Sequence, residues 1–129
     1  MTIVEAKLTR DTELFGKMDP YCILKVREQI FKTFIKESAG KAPVWNETFD
    51  IDVKYIGDDF HLTVLDKDVT CSDTVGSVQS KLSALCGPDG LDDWFEIQNK
   101  GKSAGHVHLI SKWFPVDMPS DYPPMDMGQ

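Results

Sequence analysis

Apolar and polar residues alternate with a period of two through most of this 129-residue chain, and no other feature restricts the fold as strongly. A strand points successive side chains to opposite faces, so the pattern buries one face of a sheet and wets the other. In residues 2–8, Val4, Ala6 and Leu8 fall on one face and Ile3, Glu5 and Lys7 on the other. Residues 21–26 set Cys22, Leu24 and Val26 against Tyr21, Ile23 and Lys25. The cleanest stretch is 48–54, where Phe49, Ile51 and Val53 alternate with Thr48, Asp50, Asp52 and Lys54. Phe60, Leu62 and Val64 repeat the pattern, as do Phe95 with Ile97 and Val107 with Leu109. With residues 30–36 and a short piece near 75–78, about eight strands are expected. Turn-forming runs separate them: Phe15-Gly16-Lys17, Ser38-Ala39-Gly40-Lys41, Ile56-Gly57-Asp58-Asp59, Gly87-Pro88-Asp89-Gly90 and Lys100-Gly101-Lys102. Many short strands punctuated in this way predict an all-β antiparallel sandwich or barrel. One helical turn is expected near 81–85, and no segment reads as a helix long enough to carry a parallel sheet.

The length fits one domain with one core. No run of 18 or more apolar residues offers a membrane span. The charge at Glu5 comes too early for a secretory leader. Cys22, Cys71 and Cys86 are odd in number and irregularly spaced, which points to a reducing compartment and a cytoplasmic location. A net charge of −7 disfavours nucleic acid, and contact with an anionic membrane requires that this charge be cancelled locally. Gly-x-Ser-x-Gly, phosphate-cradling glycine loops and His-Glu-x-x-His are all missing, so no enzyme is expected. His106 and His108 share one face of a strand, and with His61 they read as solvent-exposed sheet residues rather than metal ligands.

Composition changes after Pro115. Residues 116–129 hold three prolines, three aspartates, three methionines and no basic residue. The expected division is therefore a domain over 1–115 and a flexible acidic tail over 116–129. The tail's Asp121-Tyr122-Pro123-Pro124 run is a candidate polyproline II ligand for a protein partner, although an unpartnered tail has the same composition.

Carboxylates crowd into two segments. Glu13 and Asp19 follow the first strand, and Asp66, Asp68 and Asp73 follow the strand around Phe60–Val64. In extended backbone Asp66 and Asp68 point the same way, and Asp73 returns from the other limb of the loop. Converging carboxylates repel unless a cation lies among them, and an all-oxygen set without His or Cys suits calcium rather than zinc. Taken alone, an Asp-x-Asp pair reads first as an ordinary Asp-rich turn. The spacing is not that of an EF-hand, which needs one continuous loop.

Three motifs in order decide between these readings: Gly16-Lys17-Met18-Asp19-Pro20-Tyr21, then Pro43-Val44-Trp45-Asn46-Glu47-Thr48-Phe49, then Asp66-x-Asp68 with Asp73-x-x-Gly76. Together they resemble the successive signatures of C2 domains over roughly residues 1–115. The resemblance implies an eight-stranded antiparallel β-sandwich of type II topology with its calcium loops at one end. It implies calcium ligands at Glu13, Asp19, Asp66, Asp68 and Asp73, with the backbone carbonyls of Met18 and Lys67 in support. Glu13 stands where the family usually has Asp, with Asp11 nearby. The loop between Asp66 and Asp73 is one residue shorter than in many relatives, and both departures weigh on a second calcium site. Asn46 is expected to hold a turn rather than a metal.

The function implied is calcium-dependent docking on anionic phospholipid membranes as a peripheral adaptor in signalling or trafficking. The tail accounts for three of the seven net negative charges, so two bound Ca²⁺ bring residues 1–115 close to neutral. Leu14, Phe15, Met18 and Val69 are candidate apolar tips for the headgroup boundary. Lys25 and Arg27 on one strand, with Lys32 and Lys36 on the next, form a candidate basic stripe, of which Lys25 and Lys32 match the family's lipid-binding positions. The competing expectation is a calcium-independent protein scaffold that uses the sheet face or the tail.

Overall fold

The structure, a computed structural model, describes residues 1–13, 16–68 and 70–114. Its strands are β1 (Thr2–Leu8), β2 (Pro20–Val26), β3 (Gln29–Lys32), β4 (Val44–Thr48), β5 (Asp59–Lys67), β6 (Ser72–Lys81), β7 (Leu91–Asn99) and β8 (Lys102–Ser111). They form one curled antiparallel sheet in the order β3-β2-β5-β6-β7-β8-β1-β4. A single residue pair, Ser77 with Gln98, joins β6 to β7. The sheet therefore closes into two four-stranded layers, β3-β2-β5-β6 and β7-β8-β1-β4. The core between them comes from the alternating inward positions: Leu24 and Val26 of β2, Phe60, Leu62 and Val64 of β5, and Ile97, Val107 and Leu109 of the facing layer. Gly76 of β6 lets the layers approach, because a Cβ there would lie 2.8 Å from Ala104 Cβ. The helical turn expected near 81–85 is a 3₁₀ turn over Leu82–Leu85 that buries both leucines. Among the described residues no helix is long and apolar enough to cross a membrane.

Three expectations change in detail. Along β1 the alternation is broken by a register shift between Ile3 and Glu5, so Ile3 joins Ala6 and Leu8 in the core instead of opposing them. The stretch 49–54 is not a strand, and β4 stops at Thr48. Phe49 still donates its amide to the Met1 carbonyl (2.8 Å), and there the pairing with β1 ends. Its place is taken by a side chain: the Gln29 amide group donates to the Asp52 carbonyl (2.7 Å) and accepts from the Asp52 amide (2.9 Å). Phe49, Ile51 and Val53 remain half-buried against the core, so the inward-outward alternation outlasts the ladder. The strand expected over 30–36 ends at Lys32. Thr33 turns inward, where its hydroxyl accepts from the Cys22 amide (2.8 Å) and its own amide donates to the Cys22 carbonyl (3.0 Å).

Candidate metal centre

The acidic cluster arises where the inward row of β5 reaches the end of the sandwich. Phe60, Leu62, Val64 and Asp66 occupy alternate positions of one strand, and all are fully buried. The row is apolar while it lies between the sheets; Asp66 is its last member, at the mouth. β6 lies antiparallel to β5 and sets Asp73 directly opposite Asp66. Asp73 thus sits on a strand, whose start lies well before the expected 75–78 piece, and not on a loop limb. A register shift between Val64 and Leu65 absorbs the mismatch between the two strands.

The segment after β1 folds across this mouth. Asp11 accepts the Glu13 amide (3.0 Å), which turns the chain toward Asp66 and gives Asp11 a structural task. Thr12 donates its hydroxyl to Asp66 Oδ2 (2.7 Å), and the Asp19 amide donates to Asp66 Oδ1 (2.8 Å). Both oxygens of the buried carboxylate are therefore held by donors, which is how a buried charge is tolerated. Asp19 is fixed in turn: its Oδ1 accepts the Ser38 amide (2.7 Å), and its carbonyl accepts the Lys67 amide (3.1 Å). Tyr21 and Trp45 of the sequence motifs brace the same corner, through Tyr21 to Ser72 Oγ (2.8 Å) and Trp45 Nε1 to the Pro20 carbonyl (3.2 Å).

Glu13, Asp66 and Asp73 each bring a carboxylate oxygen within 4.8 Å of the others. Beside them Glu13, Asp19, Ile35, Glu37, Lys67 and Asp68 line an open cleft. The cost of this crowding falls on Glu13, whose carboxyl is pushed up to about 7. Its hydrogen bond to Asp66 is the main cause, followed by the Asp66 charge, desolvation, and the charges of Asp68 and Asp19. Carboxylates this close disfavour one another's ionised form, and the effect falls on Glu13. The donor set is hard oxygen, with no histidine or cysteine among its ligating atoms, and oxygen donors of this kind are what calcium takes.

Glu13, Asp19, Asp66, Lys67, Asp68 and Asp73 are thus assembled at one end of the sandwich. Met18 is a correction. Its side chain is fully buried in the core rather than exposed at a tip, and its carbonyl is directed to the Gly40 amide (3.0 Å). The buried neighbours Pro20 and Tyr21 draw it inward from a loop that the sequence read as exposed. Leu14, Phe15 and Val69 lie outside the described residues, as does the tail with its Tyr122-Pro123-Pro124 run.

Sequence reasoning missed Thr12 and Glu37. A Thr beside an acidic pair has no period to betray it, and Glu37 lies in a connection read only as a turn.

Lys25 and Lys32 do share an outward face, since Lys25 opposes Ile30 and Lys32 opposes Ile23 on the paired strands. The stripe is thinner than expected, however. Arg27 leaves the strand at φ 52 to pair with Asp58, and Lys36 lies beyond β3, its amide bonded to the Pro20 carbonyl (3.0 Å). Lys32 Nζ stands 4.9 Å over the Tyr21 ring. The histidines are also not uniformly exposed. His108 is half-buried, stacked on Trp94 with ring centroids 4.9 Å apart and flanked by Glu5 and Asp92. Asn46, exposed on β4, adopts φ 50, a left-handed conformation that Asn tolerates.

Residues 1–97 match the C2 domain family. Extended synaptotagmin-2 of Mus musculus is 34% identical over 103 residues, which is 78% of this chain and 12% of that protein. The chain therefore spans about an eighth of this relative's length. A single C2 domain of plant Extended Synaptotagmin 1 superposes with a TM-score of 0.81 over 90% of this chain and 92% of that one, at 22% identity. The calcium-bound pair of C2 domains from Extended-Synaptotagmin 2 gives a TM-score of 0.68 at 26% identity, over 84% of this chain and 42% of that one. With the family matched over most of its length and the strand arrangement matched to those domains, this chain belongs to the C2 domain family.

Proposed function

We propose that this C2 domain is a calcium-triggered module that docks on anionic phospholipid membranes and carries out no catalysis itself. The observation that carries the reading is the meeting of Glu13, Asp66 and Asp73 within 4.8 Å, from segments far apart in sequence. Asp19 and Asp68 extend the set along the adjoining cleft. Calcium bound there supplies positive charge and open coordination positions for lipid phosphate or carboxylate oxygens.

The remaining work belongs to the chain. Asp66, held by Thr12 and the Asp19 amide, sets the centre's position before any ion arrives. Glu13, its carboxyl raised to about 7, has to be ionised to serve as a ligand. The Lys67 carbonyl adds a neutral oxygen donor at the cleft wall, and Leu14, Phe15 and Val69 remain the chain's candidate apolar contacts for lipid. Lys25 and Lys32 add a weak second contact, each cation being worth on the order of 1 kcal/mol near an anionic surface. That one relative was solved as a calcium-bound pair of C2 domains supports the choice of metal. The module acts at the cytoplasmic face of membranes, reversibly, with residues 1–115 as the docking unit and 116–129 as an appended segment.

Sedimentation with phosphatidylserine/phosphatidylcholine vesicles tests this. Calcium should carry the protein into the pellet, and chelator should release it. Asp66→Asn combined with Asp68→Asn should stay in the supernatant in both conditions with an unchanged circular dichroism spectrum. Pelleting that chelator does not reverse, or none with calcium, rejects the proposal.

A further inference from the structure

The end of the sandwich opposite the acidic cluster is not sealed. An apolar groove of about 510 Å³ opens there between the layers, lined chiefly by Phe49, Ile51, Leu82, Leu85, Ile110 and Trp113. Its origin lies in the fold. β4 stops at Thr48, the 3₁₀ turn follows β6, and among the described residues no strand lies beyond β4 in the sheet. The groove's size is that of ordinary ligand pockets, and an apolar surface of this kind is costly to leave wet. Phe114 also lines it and is 74% exposed, so the aromatic wall continues into solvent where the chain leaves the domain.

From this geometry we infer that the chain's own 115–129 segment occupies the groove. Three observations converge on that occupant. First, Trp113 and Phe114 already form part of the wall, so residue 115 starts at the groove and not at a distance from it. Covalent attachment of this kind gives effective concentrations on the order of millimolar. Second, the segment carries apolar groups that fit side-chain walls: Val116, Met118, Pro119, Tyr122, Pro123 and Met125. Its prolines lack amide donors, so an extended course needs contact with side chains rather than an open strand edge. At roughly 3.1 Å per residue, the stretch from Pro115 to Tyr122 reaches about 25 Å, enough to cross a groove of this size. Third, the segment's charges are all acidic, at Asp117, Asp121 and Asp126, and among the described residues the groove's one cationic side chain is Lys112, with Asp50 the acidic one.

Cys86 gives a direct readout. It lines the groove and is half-buried, whereas Cys71 is exposed and Cys22 is fully buried. Iodoacetamide labelling followed by mass spectrometry separates the three thiols. In the full chain Cys86 should label about tenfold more slowly than in a Tyr122→Ser, Met125→Ser chain, as expected for millimolar effective concentration against an affinity on the order of 100 μM. A chain ending at Phe114 should match the double variant. Cys71 should label equally in all three. Continued silence of Cys22 reports an intact core; if truncation exposes it, the double variant in the full chain carries the comparison. Equal Cys86 rates in all forms overturn the inference. Protection that rises with protein concentration overturns it as well, and assigns the groove to a second copy of the chain.

Discussion

Asp66 offers the sharpest test of how the acidic centre is built, because two substitutions there separate its hydrogen bonds from its charge. The carboxylate is fully buried and accepts from the Asp19 amide (2.8 Å) and the Thr12 hydroxyl (2.7 Å). Hydrogen bonds to a charged acceptor contribute about 1.5–3 kcal/mol each, and a donor left unpaired in the interior costs a similar amount. Asp66→Ala abandons both and should destabilise the calcium-free domain by roughly 3 kcal/mol after the relief of repulsion is counted. At about 4 °C per kcal/mol for a domain of this size, Tm falls by about 12 °C. Asp66→Asn keeps the shape. Its amide oxygen accepts from the Asp19 N–H, and its amide nitrogen donates to the Thr12 oxygen. Weaker neutral bonds cost about 1 kcal/mol each, and removing a charge from the vicinity of Glu13 and Asp73 offsets that loss. The calcium-free Tm of Asp66→Asn should therefore lie within about 4 °C of the parent. In calcium the order changes. The parent gains about 2.7 kcal/mol, near 11 °C, at a hundredfold excess over the dissociation constant, and neither variant gains measurably. Differential scanning fluorimetry in chelator and in calcium reads all six states. If Asn proves as damaging as Ala in chelator, or if Asn retains the calcium shift, the assignment of Asp66 as the charged centre is wrong.

Three further outcomes are expected. Glu13, raised from its ordinary value to about 7, favours the folded state when protonated. That contribution is complete below about pH 4.5 and disappears as pH rises through about 7, so chelated protein should lose Tm between about pH 4.5 and 7 while the calcium shift grows; Glu13→Gln should flatten both trends in stepped-pH fluorimetry. His108 is held above its ordinary value, chiefly by its hydrogen bond to Asp92 and against desolvation, with Glu5 assisting. Its contribution is full below the unfolded histidine's pKa and is lost as pH rises through the elevated folded value, a loss that titration of Tm should find missing in His108→Gln. Gly105→Ala should destabilise by more than about 3 kcal/mol in urea unfolding, because φ is +131° and the new Cβ would lie 2.3 Å from the Lys7 carbonyl oxygen, a backbone atom that cannot step aside.

The comparison between chain and fold turns on range. Period-two alternation is a local property, and it carried the all-β class, the strand count and most of the core, because a strand's inward face depends only on parity. Parity is lost wherever one residue is inserted, and the shift at Ile3–Glu5 moved Ile3 across the sheet without any local sign. Residues 49–54 kept their alternation yet formed no strand, since the Asp52 backbone bonds to the Gln29 side chain and not to a neighbouring strand. The motifs around Asp19, Trp45 and Asp66 were legible as family signatures, and so was the list of acidic residues.

What the sequence alone determined, then, was which residues are apolar on which face and where carboxylates collect along the chain. Only the folded structure decided that Asp73 stands opposite Asp66 on a strand, that Thr12 and the Asp19 amide secure Asp66, that Met18 turns into the core, and that Glu37 borders the same cleft as Asp68. Most of these relations join residues dozens of positions apart, and the Asp66–Asp73 pair is set by strand register. They depend on register between strands and on hydrogen bonds closed across the mouth of the sandwich, and no spacing within one segment encodes them.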